Sequence, residues 1–203
     1  MNTISFEGRT VIPNKVVCVG RNYSEHIKEL NNDVPDEMVL FCKPNSAITT
    51  QLHSYIQEEL HYETEVCFLY LEGRFQGVGV GLDLTKRNLQ SKLKQKGLPW
   101  ERAKAFNHSA LFSDFVAIPP GQCDYFFELT INGDVIQSGT TKQMLHTTDD
   151  ILDEIQSFMT LQDGDIVMTG TPKGVGVVAR DALFEVKLIQ DKSLLVESSW
   201  QAQ

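Results

Sequence analysis

The sequence predicts an α+β fold dominated by strands, and three observations carry that expectation. Short runs rich in Val, Ile, Phe, Leu and Tyr recur between turn residues, as strands do. Only two segments show a sustained helical pattern. Helices and strands do not alternate one for one, as a parallel β-α-β architecture would require. A length of 203 residues fits one domain spanning 1–203, and there is no internal repeat, low-complexity segment or Ser/Pro-rich linker.

Residues 15–19 read as a short buried strand. Residues 22–30 read as a short helix with Ser24 as N-cap, broken by Asn31-Asn32-Asp33-Val34-Pro35. Two strands follow, at 39–41 and 59–71. A turn at Glu72-Gly73-Arg74 leads into a Gly-rich strand over 75–82 that ends at Asp83. Residues 85–96 read as a helix capped by Thr85, with Leu89 and Leu93 on one face and Gly97-Leu98-Pro99 as its stop. Residues 126–131 and 135–137 flank Asn132-Gly133, a strong hairpin signal. Thr148 caps a second helix, with Asp149 and Asp150 suited to its dipole and Ile151, Ile155, Phe158 and Met159 as its apolar stripe. Residues 165–168 lead into Thr169-Gly170-Thr171-Pro172. A last hairpin pairs 182–189 with 193–199 around Asp191-Lys192.

Composition narrows the function classes. A hydrophobic fraction of 41% and a charged fraction of 22% are ordinary for a globular protein. The net charge of −9 argues against nucleic acid or an anionic membrane as a main partner. The lysines and arginine at Lys86, Arg87, Lys92, Lys94 and Lys96 read as a solvated helix face, with Arg87 as an exception. No apolar run reaches the ~20 residues of a spanning helix, and residues 1–10 do not read as a secretory signal. Cys18, Cys42, Cys67 and Cys123 form no C-x-x-C pair, so a zinc site built on them is not expected. A reduced, cytoplasmic compartment is.

The most informative chemistry lies in His61-Tyr62-Glu63-Thr64-Glu65-Val66-Cys67-Phe68. Side chains alternate along a strand, so Glu63 and Glu65 share a face within a run apolar on both faces. Two buried like charges are costly unless a cation or a proton neutralises them. Asp83, at the end of the next strand, would add a third carboxylate, and three such ligands with waters suit Mg²⁺ or Mn²⁺. Alternatively, the glutamates occupy a solvated edge and Asp83 merely precedes a helix.

His26 and Glu29 stand at i, i+3 on a short helix, where a carboxylate raises imidazole basicity; an inconsequential exposed pair is the other reading. Lys104, in an apolar setting, could stabilise an oxyanion or could be a surface lysine. Thr169-Gly170-Thr171-Pro172 with Gly174-Val175-Gly176 is a turn whose amides could hold a carboxylate. It is not a P-loop, and Gly77-Val78-Gly79-Val80-Gly81 lacks the dinucleotide-binding spacing.

Seven segments in order resemble the fumarylacetoacetate hydrolase family over nearly the whole chain. They are Gly20-Arg21-Asn22-Tyr23 with His26, Phe41-Cys42-Lys43-Pro44, and His61-Tyr62-Glu63-Thr64-Glu65. Next come Asp83-Leu84-Thr85 with Arg87 and Gln90, and Lys96-Gly97-Leu98-Pro99-Trp100 with Lys104. Gln137-Ser138-Gly139-Thr140-Thr141 with Met144, and Thr169 through Gly176, complete the set. The length is similar to the small acylpyruvase and oxaloacetate-handling branch. Asn88, Asn107 and Ser138 stand where the family often carries Asp.

The resemblance implies a mixed β-sandwich roll, a homodimer, and one Mg²⁺ or Mn²⁺ held by Glu63, Glu65 and Asp83. It implies a His26–Glu29 catalytic dyad on a lid, a catalytic Lys104, and substrate contacts from Lys43, Arg87, Gln90 and Thr171. The expected substrate is a small 2-oxo acid. Cleavage of a C–C bond in acylpyruvates is the first expectation, with oxaloacetate decarboxylation or keto–enol tautomerisation as the alternative. A non-catalytic protein that binds metal and keto acid is a third possibility of another class.

Overall fold

The computed structural model describes residues 1–29, 35–119 and 124–203, and shows a mostly-β protein built on a curled seven-stranded sheet. In chain order the principal elements are β1 (Lys15–Gly20), α1 (Ser24–Glu29), β2 (Val39–Pro44), β3 (Thr64–Leu71), β4 (Arg74–Asp83), α2 (Arg87–Gln95), α3 (Glu101–Lys104) and β5 (Ala110–Phe112). They continue with β6 (Phe126–Ile131), β7 (Asp134–Thr140), α4 (Thr148–Phe158), β8 (Ile166–Met168), β9 (Leu183–Gln190) and β10 (Ser193–Gln201). The large sheet runs β4-β3-β8-β1-β2, with β5 and the short strand Val116–Ala117 also on β4. Among the described strands of this sheet only β8 and β1 pair in parallel, with Ile166 opposite Val16. A four-stranded antiparallel sheet, β7-β6-β9-β10, packs against it.

Period-2 alternation decides what covers each face of the large sheet. Val66, Phe68, Val78 and Val80 pack with Phe127, Leu129, Phe184 and Val186 of the four-stranded sheet. Val17, Val19 and Val167, further along the sheet, pack under Ile151 and Ile155 of α4. The opposite face carries Val16, Cys18, Cys67, Leu69 and Met168, covered by Ile4, Ile48 and Phe115. Sequestering this much apolar surface drives the assembly.

The two hairpins form at their predicted turns. Asn132 and Gly133 both have positive φ (53° and 88°), as do Asp191 and Lys192 (47° and 69°), so each two-residue loop twists with its strands. Thr147 rather than Thr148 caps α4: its Oγ1 accepts from the Asp150 amide at 3.2 Å while Asp150 Oδ2 accepts from the Thr147 amide at 2.8 Å. Phe158, assigned to the apolar stripe, is 59% exposed, whereas Ile151 and Ile155 are buried.

Two expectations fail in ways that matter for the site, and one element was not expected. The strand expected over 59–71 is broken at Glu63: Leu60–Tyr62 pairs with Thr85–Lys86 in a separate three-stranded sheet, and β3 begins at Thr64. Thr85 is therefore a buried strand residue rather than a helix cap, and α2 begins at Arg87. A four-residue helix, α3, follows Trp100 and carries Lys104; it is too short for a periodic signal. The helix expected over 22–30 is observed as Ser24–Glu29. Leu30 and all of the following break except Pro35 lie outside the described residues.

Candidate active site

The break at Glu63 builds the site. The chain changes sheets there, and the exposed backbone groups are taken up locally: the Glu63 carbonyl accepts from the Asp83 amide at 2.8 Å, and the Thr64 amide donates to Gln137 Oε1 at 3.2 Å. Glu63, Glu65 and Asp83 consequently converge. Each offers an oxygen within 4.8 Å of the others, and all three residues are buried.

Their partners differ. Asp83 faces two ammonium groups, Lys43 Nζ at 2.8 Å from Oδ1 and Lys104 Nζ at 2.8 Å from Oδ2. Glu63 pairs with Arg87 and, at 2.9 Å, with Lys104. Glu65, 2% exposed, accepts from the Gly170 amide at 2.7 Å but has no ion-pair partner among the described residues. Burial would raise the Glu63 carboxyl, but the charges of Lys104, Arg87 and His26 outweigh it and hold it well below the usual carboxylate range. Burial, reinforced by the charges of Asp83 and Glu63, pushes Glu65 well above that range. A buried carboxylate without a cation, beside two others, is the observation that fits these residues to a divalent ion. The donor set, three hard oxygens, suits Mg²⁺ or Mn²⁺.

Lys104 is a buried cation and not a surface lysine. Its three protons are directed at Glu63 Oε2, Asp83 Oδ2 and Thr85 Oγ1, at 2.9, 2.8 and 2.6 Å. Burial pulls its pKa down, but Asp83 and Glu63 more than compensate and raise it. Lys43, expected to touch substrate, is 0% exposed. Its ammonium is spent on Asp83, the Lys104 and Leu84 carbonyls and Ser109 Oγ, so it positions Asp83 and α3 from behind.

His26 Nδ1 lies 3.1 Å from Glu29 Oε2. An ionised carboxylate can only accept, so Nδ1 is the donor and Nε2 remains available as a base. Glu29 Oε1 in turn accepts from the Gly174 amide at 2.9 Å. The Gly/Thr turn does hold carboxylates, and they are the protein's own: Glu65 on Gly170 and Glu29 on Gly174. Gly170 and Gly174 both have positive φ, 96° and 99°, which a side chain would strain.

One cleft of about 430 Å³, counting its open mouth, brings together His26, Glu63, Glu65, Asp83, Arg87, Gln90, Lys104 and Thr171. Arg87 donates to Gln90 Oε1 at 3.0 Å across the first turn of α2. A wider groove beside Phe68, Phe75, Tyr125 and Leu152 contains none of these residues.

Three positions escaped the sequence reading as site elements. Gln137 was visible only as part of a motif, yet it joins β3 to the turn by accepting from the Thr64 amide and donating to Thr171 Oγ1 at 3.0 Å. Buried Asn22 does the same for α1, donating to the Thr169 carbonyl at 2.8 Å and accepting from the His146 amide at 2.8 Å. Lys94 lines the cleft, although its lysine-rich context read as solvated. A buried Gln or Asn bridging two segments leaves no local periodic signal.

The fold brings three buried carboxylates, a His–Glu pair and a buried lysine together in one cleft. The family model for the fumarylacetoacetate (FAA) hydrolase C-terminal domain matches residues 15–70 and 75–198, and the chain belongs to that family. It is 39% identical over 180 residues to oxaloacetate tautomerase YcgM from Escherichia coli (strain K12), covering 80% of this chain and 82% of that protein. The structure is similar to a putative fumarylacetoacetate isomerase/hydrolase from Oleispira antarctica, with a TM-score of 0.93, 32% identity and full coverage of both chains. It also matches fumarylpyruvate hydrolase from Pseudomonas aeruginosa in complex with Mn²⁺ and pyruvate, with a TM-score of 0.86 and 28% identity, covering 99% of this chain and 95% of that one.

Proposed function

We propose that this protein interconverts the keto and enol forms of oxaloacetate. The relative at 39% identity, a tautomerase, reverses the order the sequence reading gave, in which acylpyruvate cleavage stood first. The observation that carries the proposal is the single cleft holding the His26–Glu29 dyad against the three carboxylates and Lys104.

A divalent ion held by Glu63, Glu65 and Asp83 would supply Lewis-acid stabilisation of negative charge on the substrate's 2-oxo oxygen. His26 Nε2 takes the proton from C3 in the keto-to-enol direction while Glu29 stabilises the imidazolium; the enolate oxygen takes a proton from solvent water, the imidazolium gives its own back to water, and the reverse direction runs the same transfers backwards. Lys104 has its protons committed to acceptors, so it contributes positive charge rather than a base. Arg87 and Gln90 line the same cleft and are suited to a substrate carboxylate. Thr171, whose hydroxyl is fixed by Gln137, offers a further polar contact.

Hydrolysis of acylpyruvates is the second reading, supported by the likeness to fumarylpyruvate hydrolase. The same dyad would then activate water. Mg²⁺-loaded protein assayed in parallel on oxaloacetate and acetylpyruvate separates the two. Faster loss of oxaloacetate enol absorbance without pyruvate supports tautomerisation, whereas pyruvate from acetylpyruvate supports hydrolysis. No activity on either overturns both.

The proposal includes a homodimer. Val135 and Ile136 are exposed on β7, the outer strand of the four-stranded sheet, and Phe126 is exposed beside it. Light scattering should give twice the 22.9 kDa chain mass.

A further inference from the structure

Arg87, Gln90 and Lys94 stand at i, i+3 and i+7 on α2, so one face of that helix carries all three toward the cleft. Lys92 and Lys96 point to solvent, whereas Lys94 is half-buried. Its Nζ lies 4.8 Å over the Trp100 ring and has no hydrogen-bond or ion-pair partner among the described residues. Arg21 and Arg87 line the same cleft. Burial, then the charges of Arg21 and Arg87, lower the Lys94 ammonium from 10.5 to about 8. A partly desolvated ammonium without an acceptor of its own, on which burial and the neighbouring cations outweigh the opposing charge of Glu63, is a poor arrangement for the empty protein, and an incoming anion would relieve it.

The carboxylates and these cations line one cleft, in which Arg87 is paired with Glu63 while Lys94 has no acceptor of its own among the described residues. A 2-oxo acid with a single carboxylate needs only the part of the cleft built around the carboxylates and Arg87, which leaves Lys94 unused. We propose that Lys94 binds the distal carboxylate of a dicarboxylic 2-oxo acid and so makes the cleft selective for dicarboxylates over monocarboxylates. This rests on the reading of the cleft as a 2-oxo acid site. The ring beneath the ammonium fixes the lysine without using any of its three donors, leaving them for the ligand.

The test compares oxaloacetate with pyruvate, which lacks the distal carboxylate, by thermal-shift titration of the Mg²⁺-loaded full chain. Wild type should bind oxaloacetate more tightly than pyruvate. Lys94→Gln should weaken oxaloacetate binding by about tenfold, the loss expected for one charge-assisted contact, and change pyruvate binding less than about twofold. Lys94→Arg should retain the preference. Equal weakening of both ligands, or of neither, overturns the proposal. If wild type binds both acids but tautomerises neither, the proposed reaction fails while the binding ratio still decides the role of Lys94. If it binds neither, both fall.

Discussion

Glu65 is the residue on which the electrostatics of the cleft turn. Its raised carboxyl pKa means that its contribution to stability is present below the ordinary value of 4.5 and is lost as pH rises through the raised value. Glu63, held low, works in the opposite sense, stabilising above 4.5 and losing that contribution as pH falls through its depressed value. Glu65→Gln should therefore stabilise the metal-free protein at neutral pH by about 1–3 kcal/mol. The gap from wild type should close as pH falls toward 4.5. Urea unfolding in EDTA across that range measures both, and a variant less stable than wild type at neutral pH would contradict the assignment.

Gly174→Ala probes the dyad from behind. An added Cβ would lie 2.6 Å from the Ile136 carbonyl oxygen, displacing the amide that holds Glu29. A fall in kcat with the Mg²⁺ response intact is expected. The three carboxylates could be picked out from Glu-x-Glu spacing and a strand-end Asp. Lys43's burial and Lys94's orientation could not, because both depend on contacts brought from distant segments.

At the level of elements, the junction of β3, β4 and β5 sets the position of Asp83. Gly81 lies opposite Glu65 across β3 and β4 and opposite Phe112 across β4 and β5. A Cβ there would meet the Leu111 carbonyl oxygen at 2.6 Å and Cys67 Sγ at 3.0 Å. Gly81→Ala should cost about 1–3 kcal/mol in denaturant unfolding and weaken the metal response, since Asp83 is two residues away. An unperturbed midpoint would show that the strands separate freely.

The Gly-rich run thus serves close strand packing, consistent with its failure as a nucleotide fingerprint. Hairpins were legible because Asn-Gly and Asp-Lys sit between alternating runs. The strand break at Glu63 was not, because no Gly, Pro or other turn residue marks it within 59–71. The break is imposed by Thr85–Lys86 and Gln137 pairing with successive parts of the same segment.

For the whole molecule, the mostly-β class followed from strand-rich composition, while the sheet order depended on pairings among residues far apart in sequence. No helix among the described residues is long and apolar enough to cross a membrane. If the carboxylate cluster holds a divalent ion in the native state alone, folding and binding are linked. At free Mg²⁺ or Mn²⁺ one hundredfold above Kd, the native state should gain about 2.7 kcal/mol, reversed by EDTA. Glu65→Gln should abolish that gain, and a wild-type midpoint indifferent to metal would favour a purely ion-paired cluster.

The most direct measurement follows oxaloacetate enol absorbance and pyruvate formation together, with Mg²⁺-loaded wild type and His26→Gln. The account predicts accelerated enol loss by wild type without matching pyruvate. It predicts a fall of about 10²–10⁴-fold in His26→Gln, which retains its metal-induced stabilisation. Enol loss as fast in His26→Gln as in wild type, or pyruvate formed in step with it, would contradict the account.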